Sequence, residues 1–252
     1  MTPTKFKDSR LYKFANKFNY SVEGINNLPK NENIIYTMNH QSALDVLLAY
    51  SIIVPITNKK ISMVVRKLFY DFPIVGNFLK KLGAIRINEV KGIPKDSNAN
   101  EKMMTAINQG NDILIYPEGS VRYGSAKIIG KSNTGAIKLA IMSKTRIIPI
   151  GIDGTYDSWR IPHGLPIDFI SFFKTNYKYP IKIKFGKPYS LNEYYDLDLT
   201  KKSKKNYKLL HKLTDELMLK ISKLSNLPYD KNLDLQKMPF LKYAKKYNIF
   251  HY

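Results

Sequence analysis

An imidazole and a carboxylate five residues apart, His40 and Asp45, bracket the most reactive stretch of this chain, Asn39-His40-Gln41-Ser42-Ala43-Leu44-Asp45. A neutral imidazole can take a proton near neutral pH, and a carboxylate on its other nitrogen fixes the tautomer and stabilises the imidazolium. Five residues along an ideal helix turn through about 500°, which leaves two side chains about 140° apart around the axis. His40 and Asp45 therefore cannot face each other from within one helix. They meet only if His40 sits in the preceding loop and folds back over the first turn, so that Asp45 accepts Nδ1–H and Nε2 serves as the base. The same residues also suit a plain helix start, with Ser42 as N-cap, Asp45 as its capping-box partner, and a negative charge at the positive end of the helix dipole. The two readings are compatible: Ser42 can cap while Asp45 holds the ring.

A second polar cluster is Tyr116-Pro117-Glu118-Gly119-Ser120-Val121-Arg122. Pro117 stops the apolar run before it and Gly119 permits a tight turn. Backbone N–H groups freed by the turn, with Ser120 and Arg122, could hold a phosphate. Taken alone, an ordinary loop with a surface Glu–Arg pair is the plainer reading. Gly130-Lys131-Ser132 resembles the end of a nucleotide-binding P-loop, but Gly124 and Gly130 are separated by five residues where that motif has four, so a triphosphatase is rejected. His163, His211 and His251 read as structural or solvated, and no spacing of His, Asp or Glu suggests a metal site.

Both clusters directly follow short apolar runs, and ligand sites in open α/β sheets form at such strand ends. Strands are expected at about 33–38, 61–65, 83–87, 112–116, 146–150 and 181–185. Helices are expected at 43–53, from the end of the second strand to about 82, at 99–109 with Gly110 just beyond, at 135–144, and at 201–224, the last long, basic and amphipathic. Alternating strands and helices predict an α/β fold: a mixed, mostly parallel sheet flanked by helices, some basic and amphipathic. No break in composition divides the chain, so one domain is expected over residues 1–252.

Lys and Arg number 41 against 20 Asp and Glu, a formal net charge of +21. Such an excess speaks of partners: nucleic acid, an anionic membrane surface or phosphorylated small molecules. Part of it follows a general richness in Lys, Asn, Ile and Tyr. With no cysteine, disulfides, thiolate zinc sites and cysteine nucleophiles are excluded. The longest apolar stretch, 43–56, contains Asp45 and Pro55 and is too short for the roughly 20 residues that span a bilayer. A peripheral protein at the cytoplasmic face of the cell membrane is the expectation.

Together the segments resemble the glycerolipid acyltransferase family, in particular its lysophosphatidic-acid acyltransferases. Asn39 to Asp45 match the family's Asn-His-x-Ser-x-x-Asp block, and Tyr116 to Ser120 its aromatic-Pro-Glu-Gly-Ser/Thr block. Gly83 to Ile87 fall where the family has a Gly-hydrophobic segment with a nearby Arg, and Ile147 to Ile150 match its later Val/Ile-Pro strand. The resemblance covers about residues 20–155. Two departures stand out: Val121 follows the Glu-Gly-Ser and Arg122 comes one place late, and Arg86 precedes the position usual for the middle arginine.

The resemblance implies transfer of an acyl group from an acyl thioester to the sn-2 hydroxyl of lysophosphatidic acid, with His40 as base and Asp45 orienting it. Glu118, Gly119 and Ser120 would form the acceptor site, with Arg122, Arg86 and, as a lesser candidate, Lys131 for the phosphate. No cofactor is implied beyond the donor, acyl-coenzyme A or acyl carrier protein. Acylation of glycerol-3-phosphate or another lysolipid is the enzyme alternative. The non-enzyme alternative is a basic membrane- or nucleic-acid-binding protein, although no nucleic-acid signature accompanies the lysines. An apolar groove is expected beside the helix starting at Ala43. Aromatic and basic residues at 169–179, 238–252 and 5–18 are candidate membrane contacts.

Overall fold

The computed structural model describes residues 3–71, 73–87, 98–119, 127–159, 175–200 and 203–233. Two short helices, α1 (Pro3–Lys7) and α2 (Arg10–Ala15), precede strand β1 (Tyr20–Glu23). Then follow β2 (Ile34–Met38), α3 (Leu44–Thr57), β3 (Ile61–Arg66), α4 (Lys67–Tyr70), α5 (Pro73–Lys81) and β4 (Ile85–Ile87). The second half supplies α6 (Ala99–Asn108), β5 (Asp112–Ile115), α7 (Gly135–Ser143), β6 (Arg146–Asp153), α8 (Thr155–Ser158), β7 (Ile181–Phe185) and α9 (Lys204–Ser225).

The strands of the described residues form one seven-stranded sheet in the order β1-β7-β6-β2-β5-β3-β4. All neighbours run parallel except β6 and β7. This is the mixed, mostly parallel arrangement that the alternating pattern predicts. Strands covered on both faces need apolar residues at every position, and β2 (IIYTM) and β5 (DILI) are buried throughout. Successive side chains then divide between two cores. Tyr36, Leu114 and Ile148 face α1, α2 and α3, whereas Ile35, Ile113 and Ile147 face α6, α7 and α9.

Helix α3 is buried around almost its whole circumference, from Leu44 to Thr57. It runs past the expected end at residue 53, through Pro55, and closes on Asn58 in the left-handed region at φ 55°. A proline in the last turn is outweighed there by the packing of Ile52, Ile53 and Val54. The basic N-terminal stretch is amphipathic, with Phe6, Ala15 and Phe18 buried in the core while Lys7, Arg10, Lys13 and Lys17 stay exposed. Its aromatic residues thus pack largely inward. The other two candidate membrane segments fall mostly or wholly outside the described residues. Among the described residues no helix is long and apolar enough to cross a membrane.

Helix α9 lies across β6 and closes the second core with Leu213, Leu217, Met218 and Ile221. It ends against Gly151, where an added Cβ would stand 2.2 Å from the Ser225 nitrogen, so only glycine allows this approach. At the opposite end of the sheet from the strand carboxyl termini, Lys59 Nζ donates to Asp112 Oδ1, Asn33 Oδ1 and the Glu32 carbonyl, and Asp112 also accepts the Ile34 N–H. Burial pushes the Asp112 carboxyl above its ordinary range despite the pull of Lys59. Asp112→Ala would strand the Lys59 ammonium, whose side chain is only 14% exposed. The expected cost is about 3–5 kcal/mol, read from the shift in urea unfolding midpoint.

Candidate active site

Three adjacent parallel strands, β5, β2 and β6, end side by side, and a polar turn leaves each. The turn after β2 carries Asn39 and His40, and Asp45 follows in the first turn of α3. His40 does fold back from the loop: its Nδ1 lies 2.9 Å from Asp45 Oδ2. The same oxygen accepts the backbone N–H of Gln41 at 2.6 Å and of Ser42 at 2.9 Å. Two backbone donors aimed at Oδ2 leave no place for a proton on it, so the carboxylate is the acceptor and Nδ1 carries the hydrogen. Nε2 is then the basic nitrogen, on the far side of the ring. Ser42 acts at the helix start as well, its Oγ accepting the Leu44 N–H at 3.1 Å. The N-cap position falls to Ala43, which offers no side-chain cap, so the capping box expected of Ser42 and Asp45 does not form, whereas the ring contact does.

Asp45 is completely buried. An isolated ionised carboxylate there would be prohibitively costly, so its donors are a condition of the fold. Its second oxygen, Oδ1, accepts the hydroxyl of Thr155, which follows β6. The Gln41 carboxamide lies against the same hydroxyl and donates to Asp153 Oδ1 at 3.2 Å. Asn39 fixes β6 in place: its Nδ2 donates to the Ile152 carbonyl at 2.8 Å and its Oδ1 accepts the Ile152 N–H at 2.9 Å. That side chain continues the ladder one step beyond the last β2–β6 backbone pair, Met38 with Ile150.

The turn after β5 supports His40 from the other side. Gly119 takes φ 74° and its N–H closes on the Tyr116 carbonyl at 2.9 Å, the tight turn expected from Pro-Glu-Gly. Glu118 is buried, and its carboxylate accepts the N–H of His40 at 3.1 Å and of Gly130 at 3.3 Å. The Tyr116 ring stacks on the imidazole, with centroids 3.9 Å apart and planes at 22°. Burial, then the nearby Asp45 charge and Tyr50, hold the Tyr116 phenol well above its ordinary range, so it keeps its proton.

Among the sequence-predicted site residues, His40, Asp45, Glu118 and Gly119 come together. Lys131 follows Gly130, whose N–H meets Glu118, but is itself exposed, and its own N–H turns to the Leu233 carbonyl at 2.8 Å, outside the cluster. Arg86 lies on β4, three strands from β2 and so about 14 Å along the sheet, with Nη1 3.8 Å from Asp71 Oδ1. Ser120 and Arg122 fall outside the described residues. Sequence reasoning missed Thr155, the clamp made by Asn39 and the inward aim of Glu118. The available signal for Thr155 was its place in a polar turn after an apolar strand, as with His40 and Glu118. A cavity of about 50 Å³ beside α3 is lined by Phe6, Tyr50, Val54, Ile61 and Leu82, at the end of the helix remote from His40. It has room for a water or two and is not the expected groove. Among the described residues no three His, Asp or Glu side chains gather as metal ligands.

Residues 19–153 match the family model described as Acyltransferase, and both polar turns lie within that match. A 1-acyl-sn-glycerol-3-phosphate acyltransferase of Borreliella burgdorferi is 29% identical over 135 residues, covering 53% of this chain and 51% of that protein. The chain thus spans about half the length of this relative. The crystal structure of the 1-acyl-sn-glycerophosphate (LPA) acyltransferase PlsC from Thermotoga maritima superposes with a TM-score of 0.58, covering 87% of this chain and 79% of that one at 18% identity. At that identity the likeness establishes the fold. The chain belongs to the acyltransferase family.

The Tyr116 hydroxyl is buried and has no hydrogen-bond partner among the described residues. Tyr116→Phe keeps the stacking on His40 and removes an unpaired polar group worth about 1–3 kcal/mol of desolvation. The melting temperature is expected to hold or rise; a loss of more than about 1 kcal/mol would show that the hydroxyl is paired.

Proposed function

We propose that the protein transfers an acyl group from an acyl thioester to the sn-2 hydroxyl of 1-acyl-sn-glycerol-3-phosphate, giving phosphatidic acid. The observation that carries this reading is the His40–Asp45 pair, 2.9 Å apart at the carboxyl ends of the central strands, inside the segment matching the family. The name of the Borreliella burgdorferi relative supports the choice of acceptor.

In the proposed reaction His40 Nε2 takes the proton of the sn-2 hydroxyl as its oxygen bonds to the thioester carbonyl carbon. The tetrahedral intermediate collapses, the carbon–sulfur bond breaks, and the imidazolium returns its proton to the departing thiolate. Phosphatidic acid and a free thiol result, with His40 restored and no covalent enzyme intermediate. Asp45 keeps the ring in the required tautomer and stabilises its positive charge between the two transfers. Such base catalysis contributes about 10²–10⁴-fold, the remainder coming from positioning and from stabilisation of the oxyanion. The turn holding Gly119, Ser120 and Arg122 is the proposed place for the acceptor phosphate. Glu118 supports His40 and Gly130 through their main chains. The donor is coenzyme A or acyl carrier protein, both acidic and both suited to a chain of net charge +21.

His40→Ala is expected to lower acyl transfer by about 10²–10⁴-fold with the circular-dichroism spectrum unchanged. Retained turnover in that variant would remove His40 from the mechanism. In a panel of acceptors with each donor in turn, 1-acyl-sn-glycerol-3-phosphate should give the highest kcat/KM. A higher value for glycerol-3-phosphate or another lysolipid would reassign the substrate.

A further inference from the structure

Thr155 lies 110 residues from Asp45 in sequence, yet its hydroxyl meets Asp45 Oδ1 inside a fully buried cluster. The Asp45 carboxylate has two sides with different duties. Oδ2 is occupied by the His40 ring and two backbone N–H groups, whereas the hydroxyl of Thr155 meets the other oxygen. The place of Thr155 is in turn set by the loop that bears His40. Asn39 grips both polar groups of Ile152, and Gly154 turns the chain at φ 96°, with its N–H on Asp153 Oδ1 at 2.9 Å. A side chain at Gly154 would place Cβ 2.3 Å from the Pro180 carbonyl oxygen, so this turn admits no other residue without moving the backbone. The hydrogen bonds therefore form a closed circuit: His40 to Asp45, Asp45 to Thr155, and Thr155 through Gly154 and Ile152 back to Asn39, the neighbour of His40.

We propose that Thr155 is a positioning residue for the His40–Asp45 pair, its hydroxyl fixing the carboxylate and drawing off part of its charge. The proposal rests on His40 being the base. Without that hydroxyl Oδ1 is a buried acceptor with no hydrogen-bond partner among the described residues, and the carboxylate turns more of its charge on the side-chain donor His40 Nδ1–H. The imidazolium is then over-stabilised and the ring loses its fixed aim. Among the described residues, the other charged or titratable groups around the pair include Glu118 and Tyr116 from the turn after β5, and Asp153 beyond Gln41, with Lys127 Nζ 3.2 Å from Asp153 and 3.3 Å from Asp157 on α8. The hydroxyl also meets Gln41 Oε1 at 3.2 Å, so Thr155→Val removes that contact as well, while the contacts of Glu118 and Tyr116 with His40 do not involve it.

The test compares Thr155→Val, which keeps the shape and drops the hydroxyl, with Thr155→Ser, which keeps the hydroxyl. In Thr155→Val kcat should fall about tenfold, the rate equivalent of one lost hydrogen bond, with KM within about twofold. Thr155→Ser should stay within about threefold of the parent. Nuclear magnetic resonance of the His40 ring in the substrate-free protein should show its titration midpoint raised by about 0.3 unit or more in Thr155→Val, because a less neutralised carboxylate favours the imidazolium. The acid limb of kcat/KM should move the same way. A purely structural role would lower the melting temperature and leave the midpoint where it was, and that outcome overturns the proposal. So does full additivity of the Thr155→Val and Asp45→Asn losses in kcat, since the hydroxyl acts through Asp45. If Thr155→Val does not fold, Thr155→Ala is read against Thr155→Ser with the same criteria. Absence of acyl transfer in the parent protein would refute the proposed function, while the ring titration still decides the role of Thr155.

Discussion

A charged carboxylate without access to water is the constraint around which this molecule is arranged. Asp45 is stable there only because donors converge on it from three directions: the His40 ring, the backbone of Gln41 and Ser42, and the Thr155 hydroxyl. Each donor comes with a structural demand. The backbone pair requires the chain to curl tightly between β2 and α3. The imidazole requires His40 to stay outside the helix. The hydroxyl requires β6 to extend past its pairing with β2 and turn at Gly154. Once these are met, the ring has one orientation and one tautomer, with Nδ1 committed to Asp45. Nε2 is left as the basic nitrogen of the neutral ring.

The two ends of the sheet use similar groups for different purposes. At the amino ends of the strands, Lys59 and Asp112 neutralise each other beside Asn33, and Arg146 pairs with Glu32. These contacts tie β2, β3, β5 and β6 together where no substrate is expected. At the carboxyl ends, the Asp45 carboxylate is met among the described residues by the His40 ring and by N–H and O–H donors, and Glu118 accepts the N–H groups of His40 and Gly130. A lysine or arginine beside Asp45 would compete with His40 for the negative charge. Dipolar donors hold the carboxylate while leaving the imidazole as its natural cationic partner.

What could be read in the sequence was what is local. The His40–Asp45 spacing excluded one helix and required a loop, whereas the capping box expected of Ser42 and Asp45 is absent, Ala43 standing at the helix start. The apolar runs 33–38 and 112–116 became strands within a residue or two, because buried strands declare themselves by continuous hydrophobicity, and 181–185 did so by its alternation of apolar residues with lysine. β1 escaped because four half-exposed residues at a sheet edge carry too little pattern, and their pairing with β7 joins positions about 160 residues apart. Long separation also hid the site's supporting contacts. Thr155 to Asp45, Asn39 to Ile152 and Glu118 to His40 span 110, 113 and 78 residues. Glu118 shows the difference in kind: its motif marks the residue as important, but only the fold shows its carboxylate turned toward backbone N–H groups.

The seat of α9 against Gly151 bears on where this chain can be cut. The segment shared with the family stops at residue 153, yet the helix that seals one face of its sheet begins fifty residues later, and β7 joins β1 to β6 from the same downstream region. A fragment trimmed to the shared segment would expose Ile35, Ile147 and Ile129 along an open flank. The limits of sequence similarity and the smallest length of chain able to close its own interior are therefore different boundaries.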